Sequence, residues 1–161
     1  QLLSTLDDGK TDMVFARQFM PNTEDYDVLP VEKDRFAAVL PLHHPLAHES
    51  QLTIEQLVDE KFLVLGKETN LLDQIIKLAQ HSGFTPDVIY EGHRIDLIMK
   101  FVEQDMGISI MMEKSALGVD HKKLAIIPLN LADTSELCFI RRQDKHSQAA
   151  DVFWSYCLNR R

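Results

Sequence analysis

From Phe62 to Met111 the chain alternates compact apolar runs with helical apolar stripes, and this rhythm narrows the available folds more than any other feature. Phe62-Leu63-Val64-Leu65 is a short uninterrupted apolar run, the form of a strand buried on both faces. Leu72, Ile75, Ile76 and Ala79 then fall at i, i+3, i+4 and i+7, a helical stripe closed by Gly83. Pro86 to Tyr90 reads as strand. Ile95, Ile98, Met99 and Val102 repeat the helical spacing, and Ile108 to Met111 returns to strand. Strand, helix, strand, helix, strand predicts a βαβαβ unit with right-handed crossovers.

The start of the chain has the same character. In Leu6-Asp7-Asp8-Gly9-Lys10-Thr11-Asp12, Gly9 closes a helix, since glycine enters the left-handed region without a Cβ clash. Met13 to Ala16 is then an apolar strand, which predicts a parallel sheet covered on both faces. Ala16, Arg17 and Gln18 fall at its carboxyl end, the edge where open α/β sheets bind ligands. Tyr26 to Glu32 and Phe36 to Leu40 are further strands, separated by Lys33-Asp34. Leu124 to Pro128 and Glu136 to Arg141 are two more. Thr53-Ile54-Glu55-Gln56 has the form of a capping box, opening a short helix through Val58. Ala149, Val152, Phe153, Tyr156 and Cys157 stripe a terminal helix; Trp154 lies off that stripe, either as a contact for another lobe or subunit or at the margin of the core. The linking regions Pro41 to Gln51 and Asn130 to Ser135 are natural crossovers between two lobes. Residues 1–40 with 131–161 form the expected first lobe, and 41–130 the second.

A formal net charge of -8 without a cluster of Lys and Arg argues against the chain gripping nucleic acid by itself. No apolar run reaches the length of a membrane span, and no basic-then-apolar leader opens the chain. The chain begins inside what reads as a helix, so an upstream part is expected. Cys138 and Cys157 each sit in an apolar pattern and read as buried, reduced thiols, which fits a cytoplasmic setting. His43, His44 and His48 match no zinc spacing and read as a solvated loop, so no metal and no cofactor is expected. Methionines at 99, 106, 111 and 112 read as core filler near Gly107. There is no Gly-x-Ser-x-Gly elbow, and Cys138 lies in a strand pattern rather than at a helix start. No catalytic residue is assigned, and the chain is expected not to be an enzyme.

Two loops carry binding chemistry. Gly66-Lys67-Glu68-Thr69-Asn70 joins a strand end to a helix start, where free first-turn amides, the positive helix end and Lys67 together suit a carboxylate. The plainer alternative is a βα loop with Thr69 or Asn70 as N-cap. Gly92-His93-Arg94 occupies the equivalent place one strand later, and Arg94 suits bidentate capture of a carboxylate. Its alternative is a solvated arginine and a capping histidine. Parallel strands would bring both loops to the same sheet edge.

Four groups of residues, in order along nearly the whole chain, resemble the effector-binding domain of LysR-type transcriptional regulators. They are Leu6-x-x-Gly9-x-x-Asp12 before an apolar strand; His44-Pro45-Leu46-Ala47; Leu52-Thr53-Ile54-Glu55-Gln56-Leu57 leading into Phe62-Leu63-Val64-Leu65; and Glu91, then Phe101-Val102, then Gly107-Ile108-Ser109-Ile110. Asp105 stands where the family often has glycine, and Met112 where proline commonly ends the strand; Asp tolerates left-handed turns. The resemblance implies a two-lobed, type II periplasmic-binding-protein-like α/β fold with mixed, mostly parallel sheets and an incomplete first lobe. A DNA-binding winged helix-turn-helix, a linker helix and a first strand-helix-strand would precede Gln1.

It also implies a small-molecule effector, often an organic anion, in the cleft between lobes. The cleft edge maps to Ala16, Arg17 and Gln18, to Gly66, Lys67, Glu68, Thr69 and Asn70, and to His93 and Arg94, with Met112 as a weaker addition. The implied partners are the effector and further copies of the same chain in a dimer or tetramer, with DNA contacted only through the preceding domain and no membrane contact. Peroxide-sensing members carry a cysteine pair in the second lobe; Cys138 and Cys157 lie after it, which disfavours redox sensing. The alternatives are a solute-binding protein of a transport system, a small α/β enzyme, and an oligomerisation module.

Overall fold

In the computed structural model, which describes residues 2–18, 24–66, 71–131 and 135–159, the elements alternate much as the sequence implies. They run α1 (Leu2–Asp7), β1 (Val14–Gln18), β2 (Tyr26–Asp34), β3 (Phe36–Pro41), a 3-10 turn (Ile54–Leu57), β4 (Lys61–Leu65), α2 (Leu71–His81) and β5 (Asp87–Gly92). Then follow α3 (Ile95–Glu103), β6 (Ser109–Met112), α4 (Glu113–Leu117), β7 (Leu124–Pro128), β8 (Ser135–Arg142) and α5 (Gln148–Leu158). They form two compact units: Gln1–Asp34 with Asp133–Arg161, and Arg35–Ala132.

In the first unit β8 is flanked by β1 and β2, antiparallel to both. Leu6 of α1 packs on Val14, Cys138 and Ile140, with Ala16, Tyr26 and Val28 around them. Gly9, at φ +67°, ends α1, and Lys10 N–H reaches back to Thr5 O at 2.9 Å. Pro30 lacks a ladder N–H, and the β2–β8 register shifts between Pro30 and Glu32, leaving Val31 exposed.

Two expectations fail in this unit. The first strand does not lie in a parallel sheet covered on both faces: β1 pairs antiparallel with β8, and Phe15 on it is half exposed. Nor does the striped face of α5 point inward. Val152, Phe153 and Tyr156 are exposed, while Ala150 and Trp154 are buried. The reason lies in β8. Arg141, held by Asp27 at 2.9 Å and Asp151 at 2.8 Å, spreads its guanidinium over the Trp154 ring at 4.5 Å, and the indole covers it. Ser147 Oγ accepts the Ala150 N–H and fixes where the helix begins.

In the second unit β3 runs between β6 and β7, antiparallel to both, and is buried at all six residues. The parallel pair β4–β5 continues this sheet, because β4 also bridges β6 in parallel at Phe62–Ile108. Leu63 N–H donates to Ile108 O and Ile108 N–H to Lys61 O, each at 2.8 Å. The order is therefore β5-β4-β6-β3-β7, with α2 and α3 as the crossovers of the expected βαβαβ unit. Phe36–Leu40, expected in the first lobe, belongs here instead, since its neighbours are β6 and β7. The sheets are mixed as expected, but antiparallel pairs outnumber parallel ones among the described residues. Parallel neighbours need a crossover, and here α2 and α3 supply it.

Both crossover helices end on a left-handed residue. After α2 it is Gly83, φ +84°, with Phe84 N–H to Ala79 O at 3.0 Å; after α3 it is Asp105, φ +58°, with Met106 N–H to Phe101 O at 3.2 Å. Gly107 is required for a different reason: a Cβ there would lie 2.5 Å from Lys61 O, where β4 and β6 meet. The capping residue Thr53 opens a 3-10 turn rather than an α-helix, and its N–H donates to Gln56 Oε1 at 2.8 Å. Helix α4, absent from the sequence reading, follows β6 directly.

Candidate functional site

In the first unit the candidate residues stand at the carboxyl end of β1. Ala16 packs against the apolar cluster around Leu6. Arg17 projects from the opposite face, where its Nη1 lies 3.2 Å from Asp34 Oδ2. The strand register explains the meeting. Arg17 stands opposite Leu137 on β8, and Asp34 opposite Ser135, two residues along on the same face, so the ion pair spans the central strand diagonally. The Asp34 side chain is 1% exposed and that of Arg17 23%. The arginine is thus partly exposed while the carboxylate is enclosed. Gln18 closes β1, opposite Glu136.

In the second unit β4 and β5 end side by side, as expected: Leu65 pairs with Gly92, and Gly66 N–H donates to Gly92 O at 2.8 Å. A side-chain carbon added at Gly66 would lie 3.0 Å from Glu91 Oε1 and 3.2 Å from His93 Cε1. Glycine at 66 therefore lets Glu91 and His93 draw together over the strand end. Lys67, Glu68, Thr69 and Asn70 lie outside the described residues. Arg94 is the N-cap residue of α3 in position, with extended backbone and no side-chain capping bond. It is exposed, and its guanidinium grips Asp96 in the first helical turn, with Nε to Oδ1 at 3.1 Å. The hydrogen bond from Arg94 holds the Asp96 carboxyl below its ordinary pKa, and the same bond raises that of Arg94. Met112 ends β6 with its side chain buried, and the next residue, Glu113, takes a bidentate bond from Arg35 at 2.7 and 2.9 Å.

The histidine loop is not simply solvated. His44 Nδ1 accepts the Leu46 N–H at 3.2 Å and Nε2 lies 3.0 Å from Glu60 Oε1, so this ring pins the turn. His43 reaches Asp105 at 2.7 Å. Among the described residues no cluster of His, Cys, Asp and Glu is arranged to hold a metal, and no helix is long and apolar enough to cross a membrane. Cys138 is a buried thiol outside any disulfide, whereas Cys157, expected to be buried, is partly exposed. Met99, Met111 and Met112 are core residues; Met106, also expected there, is half exposed because it follows the left-handed cap of α3.

Sequence reasoning passed over Asp34 and Glu91. Asp34 reads as a strand separator beside Lys33, and only the register across β8 shows that it faces Arg17. Glu91 entered only as part of the family resemblance, not as a neighbour of Gly66.

The family model described as the LysR substrate binding domain matches residues 1–161. The uncharacterized HTH-type transcriptional regulator YwbI of Bacillus subtilis is 28% identical over 137 residues, covering 84% of this chain and 46% of that protein. The chain spans less than half the length of the first curated relatives it matches. The regulatory domain of CcmR from Synechocystis PCC6803, solved in complex with 2-PG, superimposes with a TM-score of 0.80 at 18% identity, over 99% of this chain and 77% of that one. The effector binding domain of QuiR, solved in complex with shikimate, gives 0.77 at 21% identity, over 98% and 75%. These likenesses show the type II periplasmic-binding-protein-like fold. With the family model matching from the first residue to the last, the chain belongs to the LysR substrate-binding domain family, a regulatory family and not one of enzymes.

Proposed function

We propose that this chain is the ligand-sensing part of a cytoplasmic LysR-type transcriptional regulator and that its effector is an organic anion. The observation that carries the anionic preference is Arg17, a partly open guanidinium held in fixed orientation at the carboxyl end of β1. Gly66 with Lys67 through Asn70, and His93 with Arg94, are the further candidate effector contacts. Two relatives of the same fold were solved with 2-PG and with shikimate, the latter a carboxylate, which supports a ligand of this class here. Effector binding alters how the full-length oligomer holds its operator, the DNA being contacted by a helix-turn-helix domain of the kind named in the relatives. Such coupling requires the ligand to interact differently with two arrangements of the protein. The transport reading is not favoured, because the relatives are transcriptional regulators.

A thermal-shift panel of carboxylates, amino acids and aromatic acids on the full-length regulator tests the proposal. A ligand that binds only the folded form raises the midpoint with concentration. The expected result is such a rise for at least one carboxylate, reduced by Arg94→Ala. A panel in which only uncharged or cationic compounds raise the midpoint removes the anion.

A further inference from the structure

We propose that Tyr90 is a specificity-determining contact for the effector. Its hydroxyl, carried to the ends of β4 and β5, donates a hydrogen bond to an acceptor oxygen of the ligand. The inference rests on the reading of those strand ends as effector contacts and adds to it a residue it does not contain.

Three observations carry it. The first is where the ring lies. Side chains two residues apart on a strand share a face, and Gly92 leaves that face open beyond Tyr90. A side-chain carbon added at Gly92 would lie 2.6 Å from both Cε1 and Oη of Tyr90, and 2.9 Å from Cζ. The phenol therefore runs along β5 towards its carboxyl end, and its hydroxyl end stands over Gly92. Gly92 O in turn accepts the Gly66 N–H at 2.8 Å, so the hydroxyl is delivered to the point where β4 and β5 end together. His93 and Arg94 follow directly after Gly92, so charge and a neutral donor come from the same strand end.

The second observation is how the ring is held. Phe101, on α3, meets it edge to face, with centroids 5.0 Å apart and planes at 89°. That contact and the fit over Gly92 hold the ring through its apolar surface, and phenylalanine would serve both. The third is the hydroxyl itself. Tyr90 is half-buried, yet its hydroxyl bonds to no other described residue, whereas the Tyr26 hydroxyl donates to Asp7 at 2.7 Å. The fold thus fixes a donor at the strand ends without using it internally. A donor already held in place loses little conformational freedom when a ligand takes its hydrogen bond, which favours binding.

The test uses the full-length regulator and measures by calorimetry the dissociation constants of benzoate, shikimate, lactate and glutamate. Wild type, Tyr90→Phe and Arg94→Ala are compared, each with its thermal midpoint in the absence of ligand. Tyr90→Phe removes one oxygen and keeps the ring, so its ligand-free midpoint should equal that of the wild type. For whichever of the four binds the wild type, affinity should fall about tenfold in Tyr90→Phe, the scale of one hydrogen bond to a charged oxygen. An unchanged affinity in Tyr90→Phe, with binding weakened in Arg94→Ala, overturns the Tyr90 contact and leaves the strand-end reading intact. Affinity unchanged in both variants overturns both. A loss of affinity that comes with a lowered ligand-free midpoint shows that the hydroxyl supports the fold, and also overturns the contact. Binding by none of the four to the wild type removes the anionic effector, and the Tyr90 contact with it.

Discussion

Gly107→Ala tests whether the β4–β6 junction is as close as it stands. The added carbon would sit 2.5 Å from Lys61 O, whereas ordinary contact begins at 3.4 Å, and the obstacle is backbone that cannot rotate aside. Relief requires β4 and β6 to part by roughly 0.9 Å, a gap that forfeits much of the packing across it. Phe62 and Ile108, at 0% and 1% exposure, are the residues that lose contact. Overpacking a close-fitted interior costs about 1–3 kcal/mol. Stretching the Ile108 N–H to Lys61 O bond adds about 1 kcal/mol, so the expected loss is ~2–4 kcal/mol. With a urea slope of about 2 kcal/mol/M, the midpoint falls by ~1–2 M. Gly83→Ala is the control, because nothing lies within 4 Å of its added carbon and the left-handed backbone alone is at issue. That variant should lose about 1–2 kcal/mol. Urea denaturation of both, with hydrogen exchange at the Leu63 and Ile108 amides, makes the comparison. If Gly107→Ala costs no more than Gly83→Ala, or leaves those two amides fully protected, the crowding argument is wrong.

Asp105 occupies a left-handed cap that β-branched residues resist, so Asp105→Val should lose about 1–2 kcal/mol and Asp105→Asn almost nothing, measured by thermal denaturation. Asp7 accepts hydrogen bonds from Tyr26 at 2.7 Å and Arg142 at 3.0 Å, which hold its carboxyl below the usual value of 3.8. A depressed folded pKa means its stabilisation is complete above the unfolded value and fades as pH falls through the folded one. Asp7→Asn should therefore flatten the acid side of the stability profile below about pH 5, and an unchanged slope would refute the assignment. On α5, Trp154→Ala should cost ~3–5 kcal/mol. Tyr156→Ala, on the exposed face, should stay within about 0.5 kcal/mol; equal losses would show the helix the other way round.

The second unit was legible in the sequence because period and punctuation agree there. Apolar residues at 72, 75, 76 and 79 face one side, Gly83 stops the helix, and the short runs around it have no stable alternative to strands. The first unit was less legible. Met13 to Ala16 is apolar enough for an enclosed strand, yet its neighbour β8 lies more than a hundred residues along the chain, and pairing direction leaves no mark in local composition. The α5 helix carries two apolar faces. Spacing favoured the one through Val152 and Phe153, and only the distant Arg141 makes a seat for Trp154.

The strand-end loops could be placed from the alternation alone, but the partners of their charged groups could not. Arg94 finds Asp96 two residues away, while Arg17 finds Asp34 across a strand. Assigning an effector contact from charge and position misses such internal competitors, because they are set by register.

Ligand occupancy of this domain is proposed to change how the full-length regulator holds DNA. The most direct test measures the dissociation constant of a stabilising carboxylate with and without operator DNA, and that of the DNA with and without the carboxylate. Linkage makes the two ratios equal, and couplings of this kind span about 5–150-fold. Matched ratios in that range are expected. A ligand bound with the same affinity in the presence and absence of operator would contradict it.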